Sequence, residues 1–223
     1  MSERAFVIGN GPSLRPSDLD LLAGEISYGV NHVHLIYPET VWRPTYWVCV
    51  DIPDVDRAAW HSRQGYKCYV TADRADKVEK KRHPIRSEEN ISYVATCVHL
   101  RQKANGDCPL EFHLPSICSY GGGGITALQL AILSGYDEIY LLGHDLGLRG
   151  GDHETDLDHF HPQYNIINPM SKGYASVMNV TLHHAHSMVR DAAREAGTTI
   201  YNATRGGELE TYPRVDFSSL FNG

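Results

Sequence analysis

Short apolar runs alternate with amphipathic stretches along the chain. Runs at 4–10 (RAFVIGN), 26–31 (ISYGVN), 45–51 (TYWVCVD), 66–72 (YKCYVTA), 91–96 (ISYVAT), 138–143 (EIYLLG) and 198–203 (TTIYNA) predict strands. Most are continuous apolar runs, the pattern of parallel strands covered on both faces. Helical spacing predicts a short helix at 16–24, with Ser17 as N-cap, Asp20 three residues on and Gly24 as stop. A second helix is predicted around 54–63 and a strong one at 124–136, ended by Gly135. A long helix is predicted at about 172–196, stopped by Gly197. It carries Met178, Leu182, Ala185, Val189, Ala192 and Ala196 on one face. Residues 73–90 read as an exposed helix or connection, and 97–119 as a lid or insertion without clear period. Residues 144–171 read as a His/Asp-rich loop that could close over a site.

This alternation predicts an α/β fold: a Rossmann-like, mostly parallel sheet with helices on both faces. With 223 residues, the expectation is a single nucleotide-binding domain over 1–223 with a lid-like loop at 144–171. Composition, 42% hydrophobic and 21% charged, is that of a globular protein, and a net charge of −7 argues against a nucleic-acid partner. Cys49, Cys68, Cys97, Cys108 and Cys118 are odd in number and never spaced C-x-x-C, so reduced thiols are expected. No run approaches membrane-spanning length and no signal-peptide pattern opens the chain. The cytoplasm is the expected compartment, with attachment to the inner membrane face and homo-oligomerisation left open.

In such sheets ligands bind beyond the carboxyl ends of the strands. Those ends pool Gly9, Asn10, Gly11, Ser13, Asn31, Asp51, Gly143, His144, Asp145 and Asn202 into one candidate site. Gly9 and Gly11 permit close backbone approach, and free N–H groups before a helix suit phosphate. The P-loop motif is missing. The dinucleotide fingerprint fails at Leu14, and Asn31 stands where an acidic ribose ligand belongs, which argues against nicotinamide and flavin cofactors. A nucleotide held by the amides of Asn10 and Asn31 remains. The second glycine turn, SYGGGGITALQ, offers Gly122, Gly123 and Gly124 at a helix N-terminus, with the Thr126 hydroxyl nearby. The loop GHDLGLRGGDHETDLDHFHPQY fits no zinc pattern, so no metal is assigned. His159 and His161 are the candidate general bases. His183, His184 and His186 read as ordinary helix residues.

VIGNGPSL, Asn31 closing the second strand, and GGGGITALQLAILSGYDEIYLLGHDL resemble, in that order, the bacterial sialyltransferases of glycosyltransferase family 42. They also resemble the wider group of Maf-type flagellin glycosylation proteins and archaeal 6-hydroxymethylpterin diphosphokinase. IYNATRGGELETYPRVDF is similar to the tail of that wider group. The resemblance implies a glycosyltransferase that moves a sugar from a nucleotide donor, CMP-linked, to a glycan or surface polysaccharide, with no required metal. It implies Asn10 and Ser13 at the donor phosphate and ribose, Asn31 at the nucleotide or sugar, and a loop histidine, His159 or His161, as base. Asp51 stands where the family has Asn, Tyr120 where the sialyltransferases have Arg, and Gly122-Gly123-Gly124 where they have Thr-Ser-Gly. Two other functions stay open. One is an ATP- and Mg²⁺-dependent diphosphokinase-like enzyme using Asp51, Asp145 or Asp152; the other is a non-catalytic nucleotide-binding module.

Overall fold

The computed structural model describes residues 3–50, 55–71, 90–96, 112–113, 116–118, 121–151, 156–167 and 169–222. The seven predicted strands all form, trimmed at their ends: β1 (Arg4–Ile8), β2 (Ser27–Val30), β3 (Tyr46–Cys49), β4 (Lys67–Thr71), β5 (Ile91–Thr96), β8 (Glu138–Leu142) and β9 (Thr199–Asn202). Two short strands join them, β6 (Phe112–His113) and β7 (Ser116–Ile117), in the region that shows no period. Two-residue strands are too short to display one. The sheet order is β6-β7-β5-β4-β3-β2-β1-β8-β9, and every neighbouring pair is parallel except β6 with β7. From β1 the chain builds outward through β2; it later returns to place β8 on the other edge of β1. The order therefore reverses between β1 and β8, where a crevice opens above the strand ends.

Side chains alternate across the sheet as the pleat requires. Ala5, Val7, Ile139 and Leu141 face α3 (Gly122–Leu133) and α5 (Lys172–Glu195), where Ile125, Leu128, Ala185 and Val189 cover them. Phe6, Ile8, Tyr140 and Leu142 face the opposite layer. That layer is built from α1 (Pro16–Asp20), the 3-10 segment Asn31–Glu39, α2 (Val55–Arg63) and the closing 3-10 turn Phe217–Phe221. The remaining helix, α4 (Gln163–Ile167), lies inside the predicted loop 144–171.

Several boundaries differ from expectation. Pro16, not Ser17, starts α1, and Arg15 is its N-cap. Proline's fixed φ and missing N–H suit the first helical position. The helix ends at Asp20 and continues only as turns to Gly24 (φ +91°). α3 begins at Gly122, earlier than the sequence suggested, because Gly121 (φ +91°) and Gly122 (φ +81°) make its entry turn. On α5 the buried stripe ends at Ala193 rather than Ala192 and Ala196, since Ala196 caps the helix and is exposed. Nothing in the sequence pattern announced the segment Asn31–Glu39. The predicted connection at 73–90 lies outside the described residues, apart from Asn90. Cys49, Cys68 and Cys118 are buried. Among the described residues no helix is long and apolar enough to cross a membrane.

The layer under Asn31–Glu39 is rich in buried histidine. His61 is fully buried and stacks on Trp47 at 4.4 Å, and neither ring nitrogen has a hydrogen-bond partner. His34 Nδ1 and the Tyr37 hydroxyl are likewise unpartnered. Burial disfavours imidazolium and holds His61 and His32 down at about 3 and His34 at about 4. The unfolded chain takes up these protons near 6.5, so it binds more protons than the folded state below that pH. Their contribution to stability is therefore intact above about pH 6.5 and is lost progressively as pH falls toward 4. Thermal denaturation across pH 7.5 to 4.5 is expected to show Tm falling steadily below 6.5. His61→Phe, which keeps the ring and removes both orphaned nitrogens, is expected to shallow that fall and to raise Tm at pH 5 by roughly 2–4 °C, for about 1 kcal/mol.

Candidate functional site

The crevice at the β1/β8 switch opens into a cavity of about 370 Å³. Its lining includes Gly9, Asn10, Gly11, Asn31, Gly121 to Gly124, Gly143 to Asp145, Asp158, His159, Tyr164, Tyr174, Met178 and His186. Of the pooled strand ends, Gly9, Asn10, Gly11, Asn31, Gly143, His144 and Asp145 line this cavity; Ser13 and Asn202 do not, and Asp51 lies outside the described residues.

The first glycine turn serves a purpose the sequence did not suggest. Gly9 N–H donates to the Leu142 carbonyl (2.8 Å) and Gly11 N–H to the Gly143 carbonyl (2.9 Å). A Cβ on Gly9 would lie 2.3 Å from the Gly143 oxygen, and one on Gly11 1.8 Å from Asp145 Oδ2. These glycines let two strand-end turns interlock, and their N–H groups are already engaged. Ser13 is engaged too: its N–H and Oγ donate to the Asp145 carboxylate at 3.2 and 2.9 Å. Asp145 is buried, and desolvation raises its pKa despite those bonds. The N–H groups of Gly9, Gly11 and Ser13 are thus turned to Leu142, Gly143 and Asp145 rather than presented to a phosphate.

Donors for an anion come instead from the second turn. The N-cap of α3 is Gly121, which has no side chain to cap the helix, and Gly122, Gly123 and Gly124 bring its N-terminal backbone to the cavity wall. An uncapped N-terminus leaves N–H groups without intrahelical partners and the positive end of the helix dipole exposed. Gly123 is also needed for packing, since a Cβ there would meet Asn31 Oδ1 at 3.0 Å. Asn31 itself adopts the left-handed region (φ +46°), and its carbonyl accepts from Trp47 Nε1 at 2.9 Å. The chain can therefore turn away from β2 while the side chain stays at the cavity. Thr126 is buried in α3 outside the lining, and Asp51 and Asp152 lie outside the described residues.

Asn10 is the hub. Its Nδ2 donates to the Val30 carbonyl (3.0 Å) and to the Tyr164 hydroxyl (3.4 Å), while its own carbonyl accepts from Phe160 N–H (2.9 Å). Because Val30 offers only an acceptor, Asn10 must present nitrogen to it, which leaves Oδ1 buried and unpartnered beside the cavity.

The two candidate bases separate. His159 lines the cavity; His161 does not, and its Nδ1 accepts from Gln163 N–H at 3.2 Å. His159 Nδ1 lies 3.0 Å from both Asp156 oxygens, and its ring stacks on Tyr164 at 3.7 Å and 7°. Asp158 shapes the loop by accepting from Arg149 and Gly150 N–H at 2.8 and 2.7 Å. Burial lowers the His159 pKa, opposed by Asp156. The Asp156–His159 pair was not visible as a pair among so many acidic and histidine neighbours. His186 was passed over as an ordinary helix residue. It lines the cavity floor beside His144, and burial keeps both neutral, His144 at about 4 and His186 well below its ordinary value. The end of β9 acts from behind: Thr204 Oγ1 accepts from His144 N–H at 3.1 Å, and Asn202 bridges Leu209 and Thr204.

Gly11→Ala is expected to push Asp145 off Ser13 and destabilise the fold by about 2 kcal/mol or more, roughly 4–8 °C in Tm. Gly173→Ala, in α5 with nothing within 4 Å of the added carbon, is expected to leave Tm level or slightly raised. Thermal melts of the two variants check the contrast.

No protein-family model matches the chain, and no curated protein does. Among solved structures it is similar to the Maf glycosyltransferase from Magnetospirillum magneticum AMB-1, with a TM-score of 0.58 and 15% sequence identity. The match covers 98% of this chain and 34% of that one, so the chain spans about a third of that glycosyltransferase's length. The likeness is one of fold, a Rossmann-like α/β architecture.

Proposed function

We propose that the chain is a glycosyltransferase that moves a sugar from a nucleotide donor, CMP-linked, to a glycan acceptor. The observation that carries this reading is one cavity joining three parts at the switch point. They are an orphaned amide oxygen (Asn10 Oδ1), an uncapped glycine helix N-terminus, and a carboxylate-held histidine. The fold likeness to a Maf glycosyltransferase supports the same class. No lysine or arginine lines the cavity among the described residues. A helix N-terminus alone matches the single charge of a nucleoside monophosphate ester better than the charge of a diphosphate.

In this mechanism Asp156 accepts the Nδ1–H of neutral His159 and leaves Nε2 with its lone pair. Nε2 takes the proton of the acceptor hydroxyl as that oxygen attacks the anomeric carbon. The bond from that carbon to the phosphate oxygen breaks, and the nucleoside monophosphate leaves with the electron pair. The N–H groups opening α3 stabilise the charge gathering on it. No residue of the chain forms a covalent bond, and the proposal requires no metal. The lowered His159 pKa keeps the base unprotonated at neutral pH.

Thermal-shift screening with CMP, CDP, UDP, GDP and ATP, with and without Mg²⁺, tests the reading. A metal-independent shift with CMP is expected. A shift only with ATP and Mg²⁺ would replace it with a diphosphokinase-like activity. Tight binding without turnover or slow hydrolysis of any donor would leave a binding module. His159→Asn is expected to lower kcat by about 100-fold or more with the nucleotide Kd within about twofold of wild type. His161→Ala should leave both unchanged. The acid limb of kcat/KM should have its midpoint below 6.5, because protonating His159 removes the base.

A further inference from the structure

The proposed reaction gives His144 no task, yet two glycines are needed to seat it. A Cβ on Gly9 would lie 3.1 Å from His144 Cδ2, and one on Gly124 2.9 Å from its Cε1. In an imidazole those two carbons flank Nε2. That nitrogen therefore lies, buried, between Gly9 and Gly124, which line the cavity together with His144. His144 is only 7% exposed, and Nε2 has no hydrogen-bond partner. On the far side of the ring the Val7 carbonyl accepts a hydrogen bond, which only an N–H can supply. The buried, unpartnered Nε2 then carries the lone pair.

Its neighbour has the same polarity. His186 stands at right angles to His144, with ring centroids 5.8 Å apart. The Tyr212 hydroxyl donates to the His186 carbonyl (3.0 Å), so it must accept from His186 Nδ1 (3.1 Å). That fixes the His186 tautomer with Nε2 unprotonated. Together with Asn10 Oδ1, this end of the cavity is a set of acceptors. A phosphate oxygen there would set lone pair against lone pair, whereas a ligand O–H would satisfy the orphans. The site lies against Gly124, within the first turn of α3, so a group held there is the one attached directly to an anion at that N-terminus.

We propose that His144 is a specificity-determining residue whose Nε2 accepts a hydrogen bond from a ribose hydroxyl, so that the cavity takes ribonucleotides and rejects their 2′- or 3′-deoxy forms. The inference rests on the nucleotide reading above. Isothermal titration with CMP, UMP, GMP and AMP and with their 2′-deoxy and 3′-deoxy counterparts tests it. At least one ribonucleotide is expected to bind, with one of its deoxy forms weaker by about tenfold or more. In His144→Leu the two should bind alike. Equal binding of ribo and both deoxy forms to wild type overturns the proposal while leaving the nucleotide reading intact, as does discrimination that persists in the variant. If no nucleotide binds, both fail. Long-range ¹H–¹⁵N spectra of the wild-type imidazoles provide a measurement that needs no variant. Expected at pH 7 is an Nδ1–H tautomer of His144 whose Nε2 resonance moves on adding the ribonucleotide. An Nε2–H tautomer, or an Nε2 resonance indifferent to the bound ribonucleotide, overturns the assignment.

Discussion

The interlock of the two turns that follow β1 and β8 is the contact on which the rest of the site depends. Gly9 and Gly143 meet backbone to backbone: a Cβ on Gly9 would lie 2.3 Å from the Gly143 oxygen, and one on Gly143 3.1 Å from the Gly9 oxygen. A pair of backbone hydrogen bonds closes the join. This contact defines the crevice at the switch point. It places Asp145 against Ser13 and leaves a slot into which the His144 ring fits between Gly9 and Gly124. The glycines at this edge serve the protein's own packing first, and the cavity is the surface that packing creates.

Asn10 carries the consequences outward. One side chain and one carbonyl tie the first turn to β2 through Val30, to α4 through Tyr164 and to the 156–162 loop through Phe160. The loop that presents His159 is therefore docked onto the element that lines the proposed nucleotide subsite. Tyr164 completes the connection, with its hydroxyl on Asn10 and its ring face on His159. In the proposed reaction, donor binding and placement of the base share one residue, so disturbing Asn10 would reach both.

Burial gives the histidines of this protein three kinds of work. Under Asn31–Glu39 it creates uncharged rings with unmet hydrogen-bonding capacity, a cost to the fold that grows in acid. At the cavity floor the same desolvation keeps His144 and His186 as neutral acceptors. At His159, opposed by Asp156, it lowers the pKa of the ring proposed as the base. One physical term produces three outcomes because the partners differ.

The seven strands, the three longer helices and the two glycine turns were all legible in the residue order, because hydrophobic period and glycine punctuation are local properties that the pleat and the helix turn must obey. The convergence of Asn10, Asn31, Gly123 and Asp145 at one edge was legible too, since parallel strands collect their carboxyl ends on one side. What each of these residues touches was not. That Gly11 makes room for Asp145, that His159 rather than His161 reaches the cavity, and that His186 belongs to its floor are decided by distances of about 3 Å between segments far apart in the chain. Periodicity reports which face of an element is buried; it carries no information about which partner arrives there. The seven parallel strands were therefore settled by the sequence's own pattern, and their order in the sheet and the contacts around the cavity by the way distant segments, β1 and β8 among them, lock together.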